Sequence, residues 1–234
     1  KKNRDAIPTI LSDALAVSFD NHIGHDYLQD YEERYESYHR KESRIQFDLE
    51  HFNKITKGGL PNKTLNIALA GTGVGKSLFM CHHASSVLLD GKNVLYITLE
   101  MAEEKIAERI DANLLNVNIQ DITDLPKPMF DKKVNSIAKK TQGTLIIKEY
   151  PTASAHSGHF KSLLNELALK KSFRPDIIFI DYLNICASSR YAKTANVNSY
   201  SYIKAIAEEL RGLAVEANVP IVSATQTTRS GYGS

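Results

Sequence analysis

Residues 70–77, Ala-Gly-Thr-Gly-Val-Gly-Lys-Ser, constrain this chain more than any other stretch. They stand between an apolar run with Leu65, Ile67, Ala68 and Leu69 and an amphipathic run from Leu78 to Leu89. The order is strand, glycine-rich loop, helix, which is the setting a phosphate-binding loop requires. Gly71, Gly73 and Gly75 let backbone N–H groups turn inward toward an anion. The next helix aims its positive N-terminal end at the same point. Above a cradle of Gly71, Thr72, Gly73, Val74 and Gly75, Lys76 can reach the β- and γ-phosphates of a nucleotide, and the Ser77 hydroxyl can ligate Mg²⁺. The usual pattern is G-x-x-x-x-G-K-S/T, and here Ala70 holds the first glycine position. The competing reading is an ordinary glycine-rich turn from strand to helix.

The rest of the chain repeats the same alternation. Apolar strands are expected at 65–70, 93–99, 144–148, 176–181 and 220–225, with helices at 76–89, 102–114, 130–140, 158–171 and 199–217. Alternating strands and helices with apolar strands imply an α/β fold with a mostly parallel sheet flanked by helices on both faces. The site in such a sheet lies beyond the carboxyl ends of the strands. Residues 121–128, punctuated by Pro126 and Pro128, read as a surface loop.

Three strand ends carry polar residues that belong with the loop. Asp181 closes the run Ile177-Ile178-Phe179-Ile180 and matches a Walker B aspartate, which holds Mg²⁺ through water or together with Ser77. Its alternative is a strand-end Asp that caps a loop. Glu100 follows the strand 94–99 and can orient and deprotonate a water, as a general base. Glu103 and Glu104 are weaker choices, since acidic residues suit a first helical turn for the dipole alone. Gln226 ends the last strand and can hydrogen-bond a γ-phosphate or an attacking water; its alternative is a polar residue where a strand surfaces.

Composition supports an ordinary soluble chain. It has 234 residues, 42% hydrophobic and 24% charged, with no run long enough to span a membrane and no signal peptide. The two cysteines, Cys81 and Cys186, lie outside any metal-spacing motif and read as free thiols in a reducing compartment. A net charge of +2 neither requires nor excludes nucleic acid. The chain begins without Met and stops soon after an apolar strand, so a piece of a longer protein is expected. Residues 1–45 differ from 46–234. There Tyr27, Tyr31, Tyr35 and Tyr38 share one face of an expected helix from Asp26 to His39. That face either covers the domain's own core or docks on another subunit, tyrosine suiting interfaces with one dry and one wet side.

Together these segments resemble a known family. Residues 52–60 resemble the entry segment of RecA-like ATPases. Thr98-Leu99-Glu100-Met101, Asp181-Tyr182-Leu183 and Ser223-Ala224-Thr225-Gln226 resemble phrases of DnaB-type (RecA-like) replicative DNA helicases, and 71–77, 95–113 and 205–216 resemble those of T4-like bacteriophages. The resemblance spans about residues 40–234. It implies a RecA-like P-loop NTPase core at 46–234, C-terminally incomplete, preceded by a helical linker that docks on the neighbouring subunit. It further implies a homohexameric ring that uses ATP (or other nucleoside triphosphates) with Mg²⁺ to move 5′ to 3′ on single-stranded DNA and unwind duplex at the replication fork. A primase and a helicase loader would be partners, with no membrane, in the cytoplasm (the host's, if viral). The family's trans-acting Arg or Lys finger would fall after residue 234. Its DNA-contacting loops would be 188–199 and 227–234, making Arg190, Lys193 and Arg229 the basic candidates for phosphate contact. Two rivals share features: a RecA-like recombinase that forms open filaments, and a nucleotide switch or loader that does not unwind DNA.

Overall fold

A computed structural model describes residues 24–71, 75–191 and 198–226. They fall into two units divided between Glu42 and Ser43. The first holds helix α1 (Tyr31–His39). The helix begins at Tyr31 rather than at Asp26, so Tyr27 lies before it. Asp26 Oδ1 accepts the amides of Leu28 and Gln29, both at 3.0 Å, which builds a turn instead of a helical start. Tyr27 is tied to α1 by Arg34, whose guanidinium donates to its carbonyl at 2.7 Å and lies 4.3 Å over its ring. All four tyrosines are more than half exposed, so within this unit they cover no core.

The second unit opens with a small antiparallel pair, β1 (Arg44–Ile45) and β2 (Leu60–Pro61), around helix α2 (Glu50–Ile55). Asn53 fastens this piece: its side chain accepts the Phe47 amide at 2.8 Å and donates to the Phe47 carbonyl at 2.7 Å. Gly59 cannot be replaced without movement, because its φ is +114° and a Cβ there would meet the Ile45 carbonyl oxygen at 2.3 Å.

The main elements follow in order: β3 (Leu65–Ala70), α3 (Lys76–Leu89), β4 (Val94–Thr98), α4 (Glu103–Leu115), α5 (Lys127–Lys140), β5 (Leu145–Glu149), α6 (Ser157–Lys171), β6 (Ile177–Asp181), α7 (Ser199–Ala217) and β7 (Ile221–Gln226). The sheet order is β3-β7-β6-β4-β5 and every pairing is parallel. The α/β expectation therefore holds. One boundary is corrected: the surface loop expected to run to Pro128 ends at Pro126, and Pro128 lies in the first turn of α5. Proline is tolerated there because a first-turn N–H has no helical acceptor to lose.

The period of two along each strand divides the core. Val94, Tyr96, Ile177, Phe179, Val222 and Ala224 pack with Met80, Cys81 and Ala84 of α3 and Ile106 and Ile110 of α4. Leu95, Ile97, Ile178, Ile180 and Ile221 pack with Phe160 and Leu167 of α6 and Ile206, Leu210 and Leu213 of α7. Both faces of β4 and β6 are fully buried. These strands therefore read as continuous apolar runs that end in a functional-looking polar residue.

Candidate nucleotide site

Parallel pairing brings the ends of β3, β4, β6 and β7 to one edge of the sheet. Helix α3 starts there at Lys76, after Gly75. The Gly75 φ is +90° while a Cβ would meet only ordinary contacts with Leu78 at 3.8 Å, so the demand is for conformation and not for space. Ala70 is the last residue of β3, paired with Gln226 in plain strand backbone, where a glycine's freedom is not called upon. Gly71 follows it; Thr72, Gly73 and Val74 lie outside the described residues.

The Lys76 ammonium sits 3.2 Å from Glu100 Oε2 and 3.9 Å over the Tyr182 ring. Lys76 is only 10% exposed and Glu100 is 47% exposed. The cation is sheltered while the carboxylate reaches solvent. Glu103, the alternative base, is turned elsewhere: it accepts the Glu149 amide at 2.9 Å, and Glu149 accepts the Glu103 amide in return. Gln226 is half-buried at the end of β7, between β3 and β6.

Asp181 is fully buried. Its Oδ2 accepts the Tyr96 hydroxyl at 3.0 Å, and its Oδ1 has no hydrogen-bond partner among the described residues. Burial raises the Asp181 carboxyl above the ordinary aspartate range, against the lowering pull of the nearby Ser77 and Tyr96 hydroxyls and the Lys76 charge. A buried carboxylate oxygen without a partner is uncommon and suits a metal ion or a metal-bound water. Ser77, buried at the start of α3, supplies a second oxygen. Among the described residues no three His, Cys, Asp or Glu cluster as a metal cage. Two protein oxygens fit Mg²⁺, which keeps several waters and takes phosphate oxygens as its other ligands. A cation, two buried oxygens able to take a metal ion and a solvent-reaching carboxylate are part of what hydrolysis of a terminal phosphate needs.

The loop after β6 is tied to α7. Glu209 accepts the Ser188 hydroxyl at 2.6 Å and the Ser189 amide at 3.0 Å, and Ser157 of α6 reaches it at 3.3 Å. Arg190 pairs with Glu208. Lys193 and Arg229 lie outside the described residues. The structure adds Tyr182, Tyr96, Cys81 and Glu209 to the residues read from sequence. Only Tyr182 had a local signal, since it directly follows Asp181.

Known proteins resemble this chain. A family model for the DnaB-like helicase C terminal domain matches residues 45–232. The DnaB-like replicative helicase of Enterobacteria phage T4 is 49% identical over 232 residues, 98% of this chain and 49% of the relative. A probable plasmid replicative DNA helicase of Chlamydia psittaci is 31% identical over 169 residues, 70% of this chain and 34% of the relative. The chain thus spans about half or less of the length of these curated relatives. Among solved structures, a DnaB-like replicative helicase described with its interactions with primase superposes with a TM-score of 0.71 at 18% identity, covering 97% of this chain and 54% of that one. A second solved structure, described as an ATPase domain, gives 0.68 at 17% identity, covering 90% of this chain and 74% of that one. These two show the fold. The sequence match runs from the first short strand through the last one, and on that ground the chain belongs to the family of the DnaB-like helicase C-terminal domain.

Proposed function

We propose that this chain is the ATP-hydrolysing motor of a replicative DNA helicase. The observation that carries the reading is the meeting of Lys76, Glu100 and a partly unpartnered Asp181 at the start of α3 and the ends of its neighbouring strands. Lys76 and the amides of residues 71–77 hold the triphosphate. Ser77 and Asp181 hold Mg²⁺, which neutralises charge on the β- and γ-oxygens when bound. Glu100 orients and deprotonates the attacking water, and Gln226 contacts the γ-phosphate or that water.

The finer reading follows the resemblance read from the sequence. The motor works as a homohexameric ring, moves 5′ to 3′ on single-stranded DNA and acts beside a primase and a loader in the cytoplasm, that of the host for a phage protein. ATP is the main fuel, other nucleoside triphosphates serving as well. The tyrosine face of α1 docks on the next subunit. Arg190, Lys193 and Arg229 meet DNA phosphates, Arg190 by exchanging Glu208 for the phosphate. Among the described residues no helix is long and apolar enough to cross a membrane.

The test is strand displacement on forked duplexes with a single free 5′ or 3′ tail, with ATP and Mg²⁺, by this chain carried within a full-length helicase frame. Unwinding that needs the 5′ tail supports the reading. Unwinding from the 3′ tail overturns the polarity. Failure of the chain to bind ATP with Mg²⁺ overturns the motor itself.

A further inference from the structure

We infer that Tyr96 is a positioning residue for the metal-binding carboxylate: it holds Asp181 Oδ2 from within the core and so presents Oδ1 to the ion. The inference rests on the reading of Ser77 and Asp181 as the Mg²⁺ site. Strands β4 and β6 are neighbours, with Tyr96 opposite Phe179 and Thr98 opposite Asp181. Tyr96 is therefore the diagonal neighbour of Asp181 on one face, within reach of an aromatic side chain. Its ring is fully buried and stacked on Phe179 at 5.8 Å and 15°. Packing fixes where the hydroxyl can be.

The direction of the hydrogen bonds follows from chemistry. A carboxylate only accepts, so the Tyr96 O–H donates to Oδ2. The phenol oxygen is left as an acceptor, and the Cys81 S–H donates to it at 3.7 Å. Burial pushes the Cys81 thiol up to about 11, so it keeps its proton. Cys81 lies one turn after Ser77 on α3. The series Cys81, Tyr96, Asp181 thus joins the helix that carries one metal oxygen to the strand that carries the other. A phenylalanine would fill the same apolar space, and only the hydroxyl speaks to the carboxylate.

The experiment is binding of a fluorescent N-methylanthraniloyl ATP across a Mg²⁺ series and in EDTA, with Mn²⁺ electron paramagnetic resonance as a direct count of bound metal. For Tyr96→Phe the half-saturating Mg²⁺ should rise about 10–100-fold, as for other outer partners of metal ligands. Binding in EDTA and the melting temperature should stay near wild type. Asp181→Asn should remove the Mg²⁺ dependence, and Tyr96→Phe should add nothing on that background. Cys81→Ala should shift the Mg²⁺ midpoint about two- to fivefold, the worth of one weak hydrogen bond. An unchanged midpoint in Tyr96→Phe overturns the inference, and so does an equal loss of binding in EDTA. If Tyr96→Phe does not fold, Cys81→Ala decides alone: no rise in its midpoint overturns the inference. Unaltered Mg²⁺ dependence in Asp181→Asn overturns the metal site itself, and the inference falls with it.

Discussion

The central strands β4 and β6 are buried on both faces of the sheet, yet the two faces treat carboxylates in opposite ways. On the α3 side Asp181 is sealed in the core with one oxygen unpartnered, and burial lifts its carboxyl above the ordinary range. On the α7 side Glu209 stays half-buried at the rim. Burial there also pushes upward, but the Ser188 hydroxyl and the backbone of Ser189 and Arg190 outweigh it, leaving Glu209 below the ordinary glutamate range. The same chemical group moves in opposite directions because at Glu209 the donors outweigh a partial burial, while at Asp181 the Ser77 and Tyr96 hydroxyls and the Lys76 charge do not outweigh a complete one. A cation at the unpartnered Asp181 Oδ1 would tip that balance back toward the charged form. The α3 side also carries His83, 1% exposed among Phe47, Phe79 and Phe179, with neither ring nitrogen hydrogen-bonded among the described residues. The polar groups buried on the other face, Ser223 and Cys186, each donate to a backbone carbonyl and remain neutral.

The contrast breaks most sharply at Lys76. Lys76→Ala should abolish hydrolysis and weaken triphosphate binding roughly 10–100-fold, the worth of one or two charge-assisted hydrogen bonds. Amide exchange at Ser189, on the opposite face, should not change. Wild-type turnover in a folded Lys76→Ala protein would refute the site. Glu100→Gln should lower turnover about 10²–10⁴-fold, typical of a lost general base, with Mg²⁺-dependent nucleotide binding intact in a filter or fluorescence assay. Unchanged turnover would move the base to another residue.

The third effect is on stability against pH. Burial lowers His83 from 6.5 to about 4, with its neighbour His82 adding to the effect and Asp48 opposing it. The unfolded chain therefore binds the proton that the folded chain refuses. Stability is whole above pH 6.5 and falls by about 1.4 kcal/mol per unit as the pH drops toward 4. His83→Phe should flatten urea midpoints between about pH 7 and 5; an equally steep loss in the variant would exonerate His83. The smallest effect belongs to the other face. Glu209→Ala should speed exchange of the Ser189 amide roughly tenfold, near the worth of one charge-assisted bond, and leave Mg²⁺–nucleotide binding alone. With its folded value depressed, Glu209 stabilises above the ordinary carboxylate range of about 4.3 and loses that contribution only as the pH falls below it. The two faces should therefore yield to acid in different windows, and coincident transitions would erase the distinction.

Much of the fold was legible in the sequence, because the central strands β4 and β6 are buried on both sides and read as plain apolar runs. Strand β3 and helices α3 and α7 have the limits expected, and β4, β6 and β7 differ only at their ends. The short pair β1 and β2 was not legible: two residues cannot show a period of two. Pro128 reads as loop in the sequence because proline signals a break, and its tolerance in a first helical turn depends on where that turn begins. At the candidate site, Lys76, Ser77, Glu100, Asp181 and Gln226 stand out because each follows an apolar run or a glycine turn. Tyr96 could not be found this way. Inside the run 94–99 it is one more large core residue, and its partner lies 85 positions away. Only the order of strands in the sheet makes them neighbours. Glu209 was hidden for a related reason, since a charged residue on a helix gives no sign of the loop it gathers.

The contact between Lys76 and Glu100 links two groups to which the proposed reading gives separate tasks. An ammonium has three N–H donors, so Lys76 can hold Glu100 with one and still offer the others to phosphate oxygens. A polyphosphate arriving there meets a cation whose charge is already shared, and every N–H it takes loosens the hold on Glu100. On that reading one side chain sets both the grip on the nucleotide and the freedom of the carboxylate beside it.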